Sequence, residues 1–171
     1  GLSQARARIR LSRSSGQPGK PFGKKIMRIV LDSNEYILGL DTTEGPSPSS
    51  RLLDLVRILI DELEEFRLLV PEIIVREVQR NLPAGLEKDF FRLIQSSRKI
   101  EYHDLVHVPK ETFLKYRRQK RLKQADALIA AFADFMKVDY VVSENRHIYR
   151  DLKTEDFVTL TAQDFLGLVE E

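Results

Sequence analysis

The sequence predicts an α/β fold in which a central parallel sheet is flanked by helices. Short β-branched runs, beginning with Met27 to Leu31, lack the polar alternation of a half-exposed strand and are typical of strands buried on both faces. Between these runs, apolar residues recur at the period of an α-helix. Strands that alternate with helices in this way form parallel sheets covered on both sides.

A polar loop separates the first strand from the first long helix. Gly45, Pro46 and Pro48 interrupt both helix and strand patterns, and Ser49 or Ser50 is the expected N-terminal cap of the helix that follows. That helix has one continuous apolar stripe, as expected of a helix packed on a sheet. The stripe consists of Leu52, Leu55, Val56, Leu59 and Leu63.

Proline residues mark the ends of several predicted helices in the rest of the chain. Pro71 and Pro109 are each expected to open a helix, whereas Pro83 is expected to end one. Strands are predicted at 28–31, 66–70, 140–143 and 157–161, with a further extended segment at 99–108. Helices are predicted at 51–65, 71–81, 86–97, 110–118, 123–136 and 162–169.

Composition predicts a single cytoplasmic domain. The 171 residues are enough for one domain with a hydrophobic core. There is no cysteine, which excludes disulfides and thiolate metal sites and is typical of reducing compartments. No apolar run approaches the roughly 20 residues that cross a bilayer, and the first residues lack the apolar core of a signal peptide. The sequence therefore predicts no membrane segment.

The small net charge of +2 conceals a basic first segment. Residues 1–25 hold seven of the 28 Lys and Arg residues and no acidic residue, which leaves the remainder with a net charge of −5. This segment is rich in Arg, Ser and Gly, so a disordered basic tail is predicted at 1–26 and a single domain at 27–171. The tail is compatible with a nucleic-acid-binding arm and with a non-native leader, and Met27 fits a natural start.

Three carboxylates stand in apolar contexts. Asp126 lies in the first turn of a predicted apolar helix, Asp32 ends the first strand, and Glu77 lies within the helix that Pro71 opens. In the helix that carries Asp126, the expected core residues are Leu128, Ile129, Phe132 and Phe135. A buried charge costs free energy unless it is paired or bound to a cation. These contexts therefore indicate a polar site.

Together with a fourth segment, these contexts resemble the PIN-domain nucleases, in particular the VapC-type toxins of toxin–antitoxin pairs. The matching segments are 30–34 (Val-Leu-Asp-Ser-Asn), 71–78, 125–131 (Ala-Asp-Ala-Leu-Ile-Ala-Ala) and 142–145 (Val-Ser-Glu-Asn). The resemblance spans about 27–168. It implies a PIN-like, three-layer α/β/α fold and a metal-dependent endoribonuclease that leaves a 5′-phosphate and a 3′-hydroxyl.

The resemblance also implies which residues form the site. The implied catalytic residues are Asp32, Glu77, Asp126 and Asn145. The three carboxylates would bind Mg²⁺ or Mn²⁺, since both ions favour hard oxygen ligands and keep several waters. Ser143 is expected to hydrogen-bond Asp32 and orient it, and Asn34 is expected to do the same.

In the resemblance, Asn145 occupies a position that holds Asp or Asn, so this chain lacks a full acidic quartet. An amide can coordinate a metal through its carbonyl or hold a water, but it adds no negative charge. A second metal would then bind weakly or not at all, unless Glu144 compensates. Where many relatives carry an acid shortly afterwards, this chain has His147, with Asp151 further on. The alternative function is therefore a catalytically weak or inactive PIN-like module that binds RNA or protein.

A basic run precedes Asp126. It consists of Arg117, Arg118, Lys120, Arg121 and Lys123. Such a patch would steer RNA toward the site and make the affinity depend on salt. The resemblance implies an RNA substrate and allows two protein partners, an antitoxin that blocks the site and a second copy of the chain in a homodimer.

Each feature also has an ordinary structural interpretation. Asp126 is compatible with a first-turn carboxylate favoured by the helix dipole, and Asp32 with an Asx turn. Glu77 is compatible with a solvated position paired with Arg76 or Arg80, and the basic run with a solvated helix end. A receiver-like phosphoacceptor domain with Asp32 as nucleophile is disfavoured, because the acidic pair and the lysine that it needs are not apparent.

Overall fold

Five parallel strands form one sheet in the computed structural model, which describes residues 25–119 and 122–170. The strands are β1 (Met27–Leu31), β2 (Phe66–Pro71), β3 (Ile100–His103), β4 (Tyr140–Val142) and β5 (Val158–Leu160). Their spatial order is β3, β2, β1, β4, β5, and every neighbouring pair is parallel. Residues 1–24 of the predicted tail lie outside the described residues.

Seven α-helices and one π-helical turn join the strands in the described ranges. They are α1 (Ser33–Leu40), α2 (Pro48–Glu62), α3 (Glu72–Asn81), α4 (Glu87–Ile94), α5 (Lys110–Arg117), α6 (Gln124–Phe135), the π-helical turn (His147–Asp151) and α7 (Ala162–Glu170). Helix α1 packs on α2 and α3, α2 packs on α7, and α5 packs on α6. The predicted three-layer α/β/α architecture is confirmed. No helix of the described residues is long and apolar enough to cross a membrane.

The predicted elements are all present, with ends shifted by at most three residues except in the segment at 99–108. All five residues of the predicted α2 stripe are buried. Among the expected core residues of α6, Ile129 and Phe132 are buried, whereas Leu128 is only half-buried. Phe135 is 42% exposed, so its assignment to the core was wrong. It is the last residue of α6, where the chain turns toward β4 through Lys137, which has a φ of 53°.

Ser47, not Ser49 or Ser50, caps α2. Its hydroxyl accepts the Ser50 N–H at 3.1 Å, and the Ser50 hydroxyl accepts the Ser47 N–H at 2.8 Å. Pro48 then occupies the first helical position, where a missing N–H has no consequence. The predicted start was late because Pro48 was treated as a breaker and not as the first residue of the helix.

The predicted extended segment at 99–108 is a strand only at Ile100–His103. Beyond it, the Asp104 carboxylate accepts the Val106 N–H at 3.2 Å, so the chain turns there. Two short elements, α1 and the π-helical turn, were not predicted. Each follows a polar residue at the end of a strand, where the apolar period is too short to be detected.

The strand order reverses between β1 and β4. The chain leaves β1 for β2 and β3 on one side, and it returns to β4 and β5 on the other. In open parallel sheets, ligands bind in the crevice outside the carboxyl ends of the strands at such a switch point. Because Leu31 is in register with Val142, Asp32 and Ser143 lie side by side at this crevice.

The contact between α1 and α2 is expected to depend on Gly39. A Cβ at this position would lie 2.6 Å from Leu53 Cδ1 and 2.9 Å from the Ser49 carbonyl oxygen. Gly39→Ala is therefore expected to lower the free energy of unfolding by about 1–3 kcal/mol through overpacking. The control is Gly167→Ala in α7, where a Cβ meets no atom within 4 Å and the higher helix propensity of alanine is expected to add about 0.5–1 kcal/mol. Denaturant titrations measure both, and equal stabilisation of the two variants would contradict the packing argument.

Candidate active site

Asp32 is a buried carboxylate at the end of the central strand. It is 4% exposed and caps α1, where its Oδ1 accepts the Ser33 N–H at 2.8 Å. Its Oδ2 accepts the Ser143 hydroxyl at 2.6 Å, the contact that the resemblance implies. Burial raises the pKa of Asp32, and the hydrogen bonds from Ser143 and Ser33 oppose that rise. Both carboxylate oxygens are thus held in one orientation.

Ser33 joins Asp32 to Glu77. The Ser33 hydroxyl donates to Glu77 Oε2 at 2.8 Å, although the two residues are 44 positions apart. Burial raises the pKa of the half-buried Glu77, and the charges of Asp32 and Asp126 raise it further, whereas Ser33 opposes the rise. Arg76 is not its partner and pairs instead with the glutamate that opens α3. Glu77 therefore faces the end of β1.

Asn145 is the polar partner of Asp126. Its Nδ2 lies 3.4 and 3.5 Å from the two Asp126 carboxylate oxygens. Its Oδ1 accepts the His147 N–H at 3.0 Å, which fixes the orientation of the amide, because the flipped amide would set its NH₂ group against a backbone N–H. The Asn145 carbonyl is thus engaged at the π-helical turn. Coordination of a metal through this side-chain oxygen, one of the roles considered for Asn145, would use its second lone pair.

The three carboxyl groups lie close enough to influence one another. Burial raises the pKa of Asp126, which is 8% exposed, and the charge of Asp32 raises it further, whereas the Asn145 amide opposes the rise. Within the ranges that the structure describes, no three His, Cys, Asp or Glu side chains are gathered tightly enough to enclose a metal ion. The site is therefore a loose cluster of hard oxygen donors. Mg²⁺ and Mn²⁺ suit such clusters, because Mg²⁺ in particular is usually held by one or two carboxylates and keeps several waters.

A lysine and an arginine lower the pKa of carboxyl groups in this cluster. Lys123 is the N-terminal cap residue of α6, and its charge lowers the pKa of Asp126. Arg80, in the last turn of α3, has the same effect on Glu77. Arg80 was considered only as a surface partner of Glu77. Arg80 follows Glu77 by three residues on the same helix face, and this spacing is the sequence signal that relates it to the site.

The rest of the predicted basic patch is less closely tied to the cluster. Arg117 and Arg118 are exposed at the end of α5, and Arg117 donates to the Leu122 carbonyl at 2.9 Å. Lys120 and Arg121 lie outside the described residues. Of the five predicted RNA-binding residues, only Lys123 has a described electrostatic effect on a site carboxylate.

Two further carboxyl groups, those of Glu35 and Glu144, are adjacent to each other and near Asp32. Glu35, in the first turn of α1, is 0% exposed, and its Oε2 has no hydrogen-bond partner among the described residues. Its Oε1 accepts the Ser49 hydroxyl at 3.4 Å. Burial, together with the adjacent Glu144, raises the pKa of Glu35 to about 9. Glu144 also accepts the Ala162 N–H at 3.0 Å, at the start of α7. Nothing in the local sequence distinguishes Glu35 from an exposed helical glutamate.

Asn34 does not take the role expected of it. It is half-buried and makes no side-chain hydrogen bond within the described part of the chain. Ser33 provides the contact to Asp32 instead, through its backbone N–H. The signal that identifies Ser33 is its place directly after an Asp that ends a strand and caps a helix.

Comparison with known proteins establishes the fold. No protein-family model and no curated protein sequence matches the chain. Among solved structures, a chain of the VapBC2 complex from Rickettsia felis, bound to a DNA fragment from the promoter of the two proteins, has a TM-score of 0.56 and 16% sequence identity. The match covers 79% of this chain and 98% of that chain. The fold is accordingly PIN-like.

The buried Glu35 predicts a fall in stability as pH rises. The unfolded chain releases the Glu35 proton near pH 4.5, whereas the folded protein holds it up to about pH 9. Across that window the free energy of unfolding therefore declines by up to about 1.4 kcal/mol per pH unit. Glu35→Gln removes this titration and is expected to be more stable than the wild type near the upper end of the window. Denaturant titrations at several pH values in chelator measure the difference.

Glu111→Gln is the matched control, because Glu111 is an exposed glutamate in the first turn of a helix, here α5. It is expected to follow the wild type at every pH. A Glu35→Gln protein whose stability declines in parallel with the wild type would mean that Glu35 does not retain its proton in the folded state.

Proposed function

We propose that the protein is a Mg²⁺- or Mn²⁺-dependent endoribonuclease that hydrolyses RNA phosphodiesters. The observation that carries the proposal is the set of three carboxyl groups at the switch-point crevice, supplied by Asp32, Glu77 and Asp126. Burial raises the pKa of each, and neighbouring charges raise those of Glu77 and Asp126 further. A bound cation would favour the ionised form of all three.

The donor set fits a hydrated divalent ion better than a closed metal cage. Asp32, Glu77 and Asp126 would hold it, since they supply only hard oxygen atoms and come from three different elements. When bound, such an ion neutralises charge on a phosphate and lowers the pKa of a coordinated water.

The remaining residues of the site would orient these carboxylates and the substrate. Ser143 holds Asp32, and the Asn145 amide faces Asp126. Lys123 and Arg80 place positive charge beside the carboxylates, where a phosphate backbone needs it. Attack of water at phosphorus would form a new P–O bond and break the P–O3′ bond, which leaves a 5′-phosphate and, after protonation of the leaving oxygen, a 3′-hydroxyl, as the resemblance implies.

We further propose that the chain is the toxin of a toxin–antitoxin pair. The structural similarity to a chain of VapBC2 supports this proposal. Its partners would be an RNA substrate and an antitoxin protein that covers the crevice, with a second copy of the chain in a homodimer. A toxin of this kind would act in the cytoplasm, so we also propose a cytoplasmic location for the protein.

A binding module without catalytic activity is the second candidate function. The orientation of Asn145 favours it, because the carbonyl is engaged by the His147 N–H and the side chain adds no acid to the cluster. Such a module would bind RNA or protein through the same crevice. Metal binding and turnover separate the two functions.

Mg²⁺ or Mn²⁺ is expected to raise the melting temperature of the wild type and to have little effect on Asp126→Asn. An ion that binds only the folded state stabilises it by about 2.7 kcal/mol at about 100 times its Kd. In chelator, Asp126→Asn is expected to be the more stable protein, because the folded state disfavours the charged form of Asp126. Differential scanning calorimetry measures both effects.

Asp164→Asn is the control for this experiment, since Asp164 is an exposed acid in the first turn of another helix, α7. It is expected to gain the same stabilisation from metal as the wild type. An equal metal-induced shift in Asp126→Asn would mean that Asp126 is an ordinary first-turn carboxylate and not a ligand.

The purified protein, freed of any bound partner, is expected to cleave unstructured RNA in the presence of Mn²⁺. A chelator is expected to abolish this cleavage. Asp32→Asn should lower the cleavage rate by on the order of a hundredfold or more, because it weakens the binding of the ion that would neutralise charge at the reacting phosphate. The variant should still bind RNA. Gel-based cleavage and anisotropy measure the two properties, with Asp164→Asn as an active control. Wild-type protein that binds RNA or a protein partner but cleaves no RNA pool would favour the binding module.

A further inference from the structure

We infer that His147 and Asp151 form a histidine–carboxylate pair that contacts a phosphate oxygen of the bound RNA strand beside Asp126. The inference rests on the proposed function and adds a substrate-binding residue to it. It follows from the π-helical turn, from the contacts of the imidazole ring and from the position of that ring next to Asp126.

The π-helical turn positions His147. The turn begins at His147, two residues after Asn145, whose backbone carbonyl accepts the N–H groups of Ile148 and Tyr149 at 2.9 and 3.0 Å. The Asn145 side chain accepts the His147 N–H, and its amide faces Asp126. π-helical turns are rare and frequently occur at functional sites. One residue, Asn145, therefore ties the backbone of His147 to the acidic cluster.

Asp151 holds one nitrogen of the ring. His147 Nδ1 lies 3.2 Å from Asp151 Oδ2, and the other oxygen of this carboxylate accepts Arg150 Nε at 3.1 Å. The Arg150 contact and the His147 contact lower the pKa of Asp151, so this carboxylate is ionised at neutral pH. An ionised carboxylate at Nδ1 fixes the orientation of an imidazole.

The other ring nitrogen is available to a ligand. Nε2 of His147 has no hydrogen-bond partner among the described residues, and the side chain is 42% exposed. His147 also lies near enough to Asp126 to lower the pKa of that carboxyl, as Lys123 does. An RNA strand that approaches the acidic cluster is repelled by Asp32 and Glu77 unless donors of this kind face it. A protonated imidazole carries a hydrogen on each nitrogen, and a phosphate oxygen is the ligand that matches an exposed Nε2–H donor at this position.

The contact between His147 and RNA can be measured without cleavage. The full-length protein is titrated with labelled single-stranded RNA in chelator, slightly below neutral pH. His147→Gln is expected to weaken the affinity on the order of tenfold. The loss should be similar for all RNA sequences and should reduce the salt slope by about one, as expected of a phosphate contact. His147→Arg supplies a permanent cation with N–H donors and is expected to retain most of the affinity. His107→Gln, which changes an exposed histidine in the loop after β3, is the matched control and should bind like the wild type.

Asp151→Asn tests the pair itself. Removal of a negative charge would by itself tighten the binding of an anionic strand. Weaker binding by Asp151→Asn is therefore expected only if Asp151 acts through His147. In a protein that already carries His147→Gln, Asp151→Asn should cause no further weakening, because the interaction between the two residues is already lost.

The outcomes separate this inference from the proposed function. Wild-type affinity and salt slope in folded His147→Gln, or tighter binding by Asp151→Asn, would overturn the inference while metal-dependent cleavage by the wild type still supported the nuclease. A wild-type protein that neither binds nor cleaves RNA would overturn both. Thermal unfolding establishes that the variants are folded, and His147→Asn replaces His147→Gln if the latter does not fold.

Discussion

The burial of Asp32 at the end of the central strand is the constraint on which the rest of the site depends. A carboxylate with 4% exposure is tolerated only when its oxygens are hydrogen-bonded, and Ser33 and Ser143 supply both bonds. Each serine also contacts a further residue: the Ser33 hydroxyl donates to Glu77, and the Ser143 hydroxyl accepts the Asn145 N–H at 3.0 Å. One buried charge thus fixes α1, α3 and the loop after β4 relative to one another.

The strand order makes these contacts possible. β1 is paired on both sides, so residues that follow β1, β2 and β4 emerge at the same edge of the sheet. Asp32 follows β1, Glu77 lies on the helix that follows β2, and Ser143 follows β4. A shift of one residue in the pairing of Leu31 with Val142 would move Ser143 away from Asp32 and reverse the faces of β4. The register of two central strands therefore sets the geometry of the site.

Only the family resemblance distinguished Glu77 from Glu72, whereas the local contexts of Asp32 and Asp126 could be recognised from sequence, because a charge among apolar residues is a local signal. The same holds for the strands and the long helices, whose periods extend over many residues. The burial of Glu35 could not be recognised, since it depends on Ser49 and Glu144 on other elements. The short helix α1 and the orientation of the Asn145 amide were missed for a related reason: each is stabilised by contacts that a short segment does not reveal.

The acidic cluster destabilises the folded protein, and a bound ligand would offset that cost. Because burial raises the pKa values of Asp32, Glu77 and Asp126, the ionised forms are less favourable in the folded state, and stability falls as pH rises through the shifted values. Residues kept only for stability would not show this pattern. Each of two carboxylates also has a cation three residues away, Lys123 before Asp126 and Arg80 after Glu77. Under the proposed function, the crevice would hold a metal ion and a phosphate side by side, which is the arrangement that the hydrolysis needs.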